Sequence, residues 1–285
     1  MLKADVPVCV TGASGFIATE LIAALLARGL TVHGTVRSTA PARTAHLLAL
    51  PGADARLKLF EADLGGPPAA FTAAAAGCNV VFHTACPFVY SGRAGALGEE
   101  YFVAPAVKGT EAVLAACRDA GSVTRVVMTS SCAAIFKKDV PEGHVYDEQS
   151  WNDPEELATR KMWYSIGKTK QERAAWAWVE AEKPAFSLVC INPCMVAGGA
   201  RQPTLNASQE SMADFCTGAK ALIPNSNMPW VVSVSGAPRC AACLPACLLL
   251  AKGARDPSQP RSLCPCPPPH ATHTHARARS TSATW

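Results

Sequence analysis

One stretch near the start, "VPVCVTGASGFIATELIAALLARG" (Val6–Gly29), limits the possible folds more than any other. It joins a β-branched run to a glycine-bearing turn and then to apolar residues at helical spacing, with Gly29 as the stop. Gly12, Gly15 and Ala18 follow one another at intervals of three, giving G-x-x-G-x-x-A. A tight turn needs a residue free of Cβ strain. A pyrophosphate that approaches backbone needs a second small residue. The helix start then offers unpaired N–H groups and the positive end of the helix dipole. A glycine-rich turn without a ligand is the plain alternative, but the strand–loop–helix setting favours dinucleotide binding. Gly12, Ser14, Gly15, Phe16 and Ile17 are the candidate phosphate-facing residues.

The same alternation continues to about residue 195. "LTVHGTVR", "RLKLFEADL", "NVVFHTA", "RVVMTSS" and "FSLVCIN" read as strands, and Val107–Gly121 and Tyr164–Lys183 as helices. This pattern predicts an α/β fold, a Rossmann-type doubly wound parallel sheet with helices on both faces. The expected organisation is a cofactor domain over 1–195, a small and incomplete C-terminal substrate lobe over 196–230, and a divergent tail over 231–285. The tail holds eight of the 22 prolines and almost no large apolar residue after Leu263, a composition expected of disorder.

Charge adds an exclusion. The net +4 arises in the tail, where six basic residues and Asp256 leave +5, so the other 230 residues sum to −1. A nearly neutral globular part gives no reason to expect a nucleic-acid surface. No apolar run approaches the roughly 18 residues of a membrane helix. The strand-like start leaves no room for a signal peptide, so the expectation is a cytoplasmic protein with mostly reduced cysteines. Cys9, Cys78 and Cys190 sit in apolar runs and read as small hydrophobes.

Two features bear on chemistry. Arg37 stands just beyond the second strand, where NAD sites usually carry an acid for the ribose hydroxyls. A guanidinium there can grip a 2′-phosphate through paired hydrogen bonds, so NADP(H) is expected, with Arg43 as a second cation. "KMWYSIGKTK" places Tyr164 and Lys168 four apart on one helix face. Any helix produces such pairs. The pair becomes informative beside the glycine turn and the serines that end strand five.

Together, "VTGASGFIA", "GTVRS", "LFEADL", "VFHTACPF", "VVMTSSCAAIF", "WYSIGKTKQERAAW" and "INPCMVAGG" resemble the extended short-chain dehydrogenase/reductases, in particular the dihydroflavonol 4-reductase and cinnamoyl-CoA reductase group. The resemblance covers roughly residues 5–230. It implies that Tyr164, Lys168 and Ser131 are catalytic, with Ser130 as the fallback serine. It places Asp63 at the adenine, Thr84 and Ala85 near the cofactor ribose, and Asn192 and Pro193 beside the nicotinamide, and it counts Leu64, Tyr164 and Lys168 among the cofactor-binding residues. The implied reaction reduces a small-molecule aldehyde or ketone with NADPH. A phenol supplies the proton, with its pKa expected to fall towards neutrality beside the lysine. A serine hydroxyl steadies the developing oxyanion. Phe88 and Tyr90 are candidates to face an aromatic substrate.

The chain also departs from that group. Cinnamoyl-CoA reductases usually read Asn-Trp-Tyr-Cys-Tyr-Gly-Lys at the tyrosine, where this chain reads "MWYSIGK", which favours a general carbonyl substrate. After "ALIPNSNMPW" the family's Phe-Val-Asp-Val-Arg-Asp-Val-Ala strand is replaced by "VVSVSGAPRC". The second expectation is therefore an NADP-binding chain without activity. Cys240, Cys243, Cys247, Cys264, Cys266, His270, His273 and His275 match no familiar zinc spacing, and no metal is expected.

Overall fold

Six short, largely apolar runs pair side by side in parallel. The structure, a computed structural model, describes residues 5–87, 97–137, 140–141, 144–199, 201–217 and 230–232. In chain order the elements are β1 (Val8–Thr11), α1 (Phe16–Ala27), β2 (Val32–Val36), α2 (Pro41–Leu48), α3 (Ala53–Arg56), β3 (Leu57–Glu61), α4 (Ala69–Ala75) and β4 (Val80–His83). They continue with α5 (Glu99–Ala120), β5 (Arg125–Thr129), α6 (Pro154–Thr159), α7 (Trp163–Glu182), β6 (Ser187–Ile191), β7 (Met195–Ala197), α8 (Ala207–Cys216) and β8 (Trp230–Val232). The main sheet has the order β3-β2-β1-β4-β5-β6. The order reverses between β1 and β4, and such a switch point opens a crevice at the carboxyl ends of the strands. Met195–Ala197 pairs in parallel with Trp230–Val232 in a separate two-stranded sheet.

Alternation along the strands divides the core. Val8 and Val10 face α1 and α2, packing with Ile22, Leu25, Leu26 and Leu47. Cys9, Val126, Met128 and Cys190 face the other way, towards Phe71 of α4, Leu114 of α5 and Ala175 of α7. Cys9, Cys78 and Cys190 are buried, in keeping with their reading as small hydrophobes. Burial pushes the Cys78 thiol up to about 12, which keeps it protonated and inert.

Some elements differ from the sequence expectation. Helix α5 starts at Glu99 rather than 107 and carries Pro105 inside it. Proline lacks the N–H for an intrahelical bond and reads as a breaker. Here Glu99 and Glu100 favour the positive end of the helix dipole and extend the helix past it. Helix α6 is short but well capped: the Asp153 carboxylate accepts from the Glu155 and Glu156 N–H groups, and Pro154 sits in the first turn. Phe88, Tyr90, nearly all of the 231–285 tail and its cysteines and histidines lie outside the described residues.

Gly12 ties the turn to the sheet. Its φ is +66°, and a Cβ there would stand 2.9 Å from the Ala85 Cα. Gly29 also has a positive φ, +77°, but nothing lies within 4 Å of its missing Cβ. Gly29→Ala therefore meets only the conformational penalty of about 1–2 kcal/mol. Gly12→Ala adds overpacking of about 1–3 kcal/mol. Urea denaturation of both variants should rank them in that order, and equal losses would show that Ala85 yields freely.

Candidate active site

The turn after β1 is held from beneath by β2. Ala13 N–H donates to the Thr35 carbonyl at 2.8 Å and Gly12 N–H to Thr35 Oγ1 at 3.2 Å. Thr19 Oγ1 donates back to the Gly15 carbonyl at 2.9 Å. Gly15 caps α1 without a side-chain hydrogen bond, and no acidic residue lies in the first turn. The N–H groups at this helix start are thus free to meet an anion.

Three adjoining cavities run along the carboxyl ends of the strands and share Ser14 and Arg37. One, about 460 Å³, is lined by Gly12, Thr35, Asp63, Leu64, Thr84 and Ala85. A second, about 250 Å³, is lined by Ser38, Arg43, His46, Gln202 and Thr204. The third, about 640 Å³, brings Phe16, Ile17, Ser131, Tyr164, Lys168 and Pro193 together. Residues as far apart in sequence as Gly12 and Pro193 therefore converge on one furrow. Asn192 is the exception. It lines none of the three, and its side chain instead donates to the Ser131 carbonyl at 3.1 Å and to Glu172 Oε2 at 2.8 Å. The furrow suits an elongated anionic cofactor: a glycine turn lying close against Ala85, an open helix start, and two arginines at one end.

Ser131, Tyr164 and Lys168 cluster where β5 ends and α7 begins. Lys168 is 4% exposed, and its ammonium donates to the Thr129 carbonyl at 3.1 Å. Burial alone would lower its pKa. The Cys86 thiol, the Tyr164 phenol and the Glu172 carboxylate outweigh burial and hold it above the ordinary lysine value. Tyr164, one helical turn away, hydrogen-bonds to Ser131. Its pKa does not fall as the sequence suggests. Burial is the largest influence and raises it, while Lys168 and the Ser131 hydrogen bond pull down without prevailing. The phenol therefore stays protonated at neutral pH, the form an acid requires.

The two serines are distinct. Ser130 Oγ donates to Glu172 Oε2 at 2.6 Å, which commits its only proton. Ser131 Oγ accepts from the Ala133 N–H at 3.1 Å, which leaves its proton free to point at Tyr164 or at a substrate oxygen.

Behind the cluster lie polar residues that the sequence motifs did not single out. Glu172 is fully buried and receives Ser130, Asn192 and, at 3.5 Å, Trp176 Nε1. It stands four residues past Lys168, so the same stripe that pairs Tyr164 with Lys168 also reaches it. His83 bridges Thr11 Oγ1 at 2.8 Å and Thr110 Oγ1 at 3.0 Å. Gln171 Nε2 donates to Thr110 at 2.7 Å. The only sign of His83 in the sequence was a lone histidine in an apolar strand. Cys86 meets Lys168 by a side-chain hydrogen bond. Cys132 and Cys194 meet each other where the β5 and β6 ladder continues, with Cys132 N–H donating to the Pro193 carbonyl at 3.0 Å.

The model of the NAD dependent epimerase/dehydratase family matches residues 8–216. A cinnamoyl-CoA reductase of Medicago truncatula is 41% identical over 227 residues, covering 79% of this chain and 68% of its own length. The chain spans between 61% and 68% of the length of four curated relatives it matches. Vestitone reductase from alfalfa (Medicago sativa) is similar at 31% identity and TM-score 0.60, covering 74% of this chain and 63% of that one. Yeast methylglyoxal/isovaleraldehyde reductase, solved with NADPH, is similar at 26% identity and TM-score 0.64, covering 79% and 70%. No helix among the described residues is long and apolar enough to cross a membrane.

Burial, with the Lys168 charge behind it, drives the His83 pKa down to about 3. The unfolded chain gains a proton on this side chain below about pH 6.5, whereas the folded chain resists it until far lower. Stability supplied by neutral His83 is therefore complete above about pH 6.5 and is lost progressively as pH falls, by at most about 1.4 kcal/mol per unit. Urea unfolding of His83→Gln should show a shallower acid slope than the parent between about pH 6 and 4. Parallel slopes would mean that His83 is not held neutral.

Proposed function

Because the chain belongs to the NAD dependent epimerase/dehydratase family, matched over residues 8–216, we propose that it reduces a small aldehyde or ketone to an alcohol with NADPH. One observation carries this reading: Ser131, Tyr164 and Lys168 share a cavity with the glycine turn, at the carboxyl ends of β1 and β5. Relatives named for carbonyl reduction, one of them solved with NADPH, support it.

The fit of the furrow assigns parts to its residues. The turn from Gly12 to Ile17 holds the pyrophosphate, Arg37 and Arg43 the 2′-phosphate, and Asp63 and Leu64 the adenine end. Thr84, Ala85, Lys168 and Pro193 border the ribose and ring at the other end. NADPH, when bound, supplies a hydride to the carbonyl carbon. The substrate oxygen lies against Ser131 Oγ and Tyr164. Ser131 donates its free proton in a hydrogen bond to that oxygen as negative charge develops there. Tyr164 transfers its phenolic proton, completing the alcohol. Lys168 supplies a positive charge that steadies the resulting phenolate until solvent returns a proton. Glu172 acts at one remove, holding Ser130 and Asn192 in place behind Lys168.

A second reading, NADP binding without turnover, follows from the departure of the sequence after Trp230. The two readings separate in one assay. Against aromatic aldehydes and hydroxy-ketones, Tyr164→Phe should lower turnover by about 10²–10⁴-fold while leaving NADPH affinity within about threefold. Retained turnover would remove Tyr164 from the chemistry. Arg37→Ala should weaken NADPH by about 10–100-fold through loss of a charge-assisted contact and leave NADH nearly unchanged. Equal losses would reject the 2′-phosphate contact. A wild-type chain that binds NADPH but reduces nothing would favour the second reading.

A further inference from the structure

Arg37 is not the only cationic group at the small cavity that ends the furrow. Arg43 and His46 lie three apart on α2, a spacing that puts both on one helix face, and both line that cavity with Ser14, Ser38 and Thr204. His46 is unusual there. Its Nε2 is buried and has no hydrogen-bond partner. Burial lowers its pKa, and contact with the Ser14 backbone only partly offsets that. The charged groups lining the same cavity are Arg37 from the loop after β2 and Arg43 from its own helix. From the remaining wall, Gln202 and Thr204 are neutral, and neighbouring Arg201 is paired with Glu20 of α1 at 2.9 Å. Both of these charges are positive, so no charged group lining the cavity among the described residues favours a protonated imidazole, and the Ser14 backbone contact does not outweigh burial.

A dianion reverses that balance. We infer that His46 takes up a proton when the 2′-phosphate of NADPH enters the cavity beside Arg37 and Arg43, making it a pH-sensitive selector of NADPH over NADH. The inference rests on the NADPH reading above and adds a residue to it. The imidazole is neutral in the free chain and becomes an imidazolium against the phosphate, with the proton drawn from solvent. By linkage, NADPH affinity rises as pH falls, by at most about tenfold per unit of pH for one proton. NADH lacks the 2′-phosphate and gives His46 no reason to charge. The cofactor preference is therefore itself a function of pH.

Calorimetry of NADPH binding to the 285-residue chain at about pH 7.5, in buffers of different ionisation enthalpy, reads the proton directly. A phosphate monoester has its second pKa near about 6, so at that pH the ligand can only release its residual proton. Net uptake then belongs to the protein. The expected result is uptake with NADPH, none with NADH, and none with NADPH in His46→Gln, which also loses the pH slope of the NADPH-to-NADH affinity ratio. Proton release or no exchange in the wild type overturns the inference without any variant. So does uptake that persists in folded His46→Gln. Equal affinity for NADPH and NADH at every pH would instead overturn the underlying cofactor reading.

Discussion

An ammonium group buried at the carboxyl end of a parallel sheet sets conditions on every group around it. Moving a charge out of water costs several kcal/mol even after relaxation. Lys168 meets that cost with the Thr129 carbonyl directly and the Glu172 carboxylate nearby, and His83 stays neutral within its field. Glu172 in turn needs donors, which Ser130 and Asn192 supply. Strands five and six, the serine pair and α7 together supply the polar groups that surround this one cation. That charge also lies one helical turn from the phenol whose proton the proposed chemistry uses.

The sheet order makes the meeting possible. Parallel strands send all their carboxyl ends to one edge, and the reversal between β1 and β4 opens a crevice there. Gly12 lets the first turn lie against Ala85, so the turn and the β4 end form one wall. His83 links that wall to α5 through Thr110, and Gln171 links Thr110 to α7. Buried polar chains of this kind fix relative positions because leaving any member unpaired costs about 1–3 kcal/mol. The glycine turn and the tyrosine helix are thus joined through the interior as well as across the furrow.

Much of this was legible in the sequence because its signals are local. The glycine turn, strand alternation and Tyr164–Lys168 spacing each occupy one short stretch, and all six main-sheet strands fall within the runs read from the chain. The start of α5 was not legible, since Pro105 signals a break that its first turn overrides. The division of labour between Ser130 and Ser131 was hidden as well. It depends on Glu172 and Ala133, whose contacts arise only on folding. The direction of the Tyr164 shift was misjudged for a related reason. Helical spacing reveals the nearby cation, but not the burial that outweighs it.

Consumption of NADPH by the 285-residue chain is the most direct test of a reductase. Purified chain should bind NADPH, followed by cofactor fluorescence, and should oxidise it when an aromatic aldehyde or hydroxy-ketone is added, yielding one alcohol for each NADPH. Binding with no oxidation across such carbonyls would contradict the reductase reading and leave a dinucleotide-binding fold whose Ser131, Tyr164 and Lys168 do no chemistry.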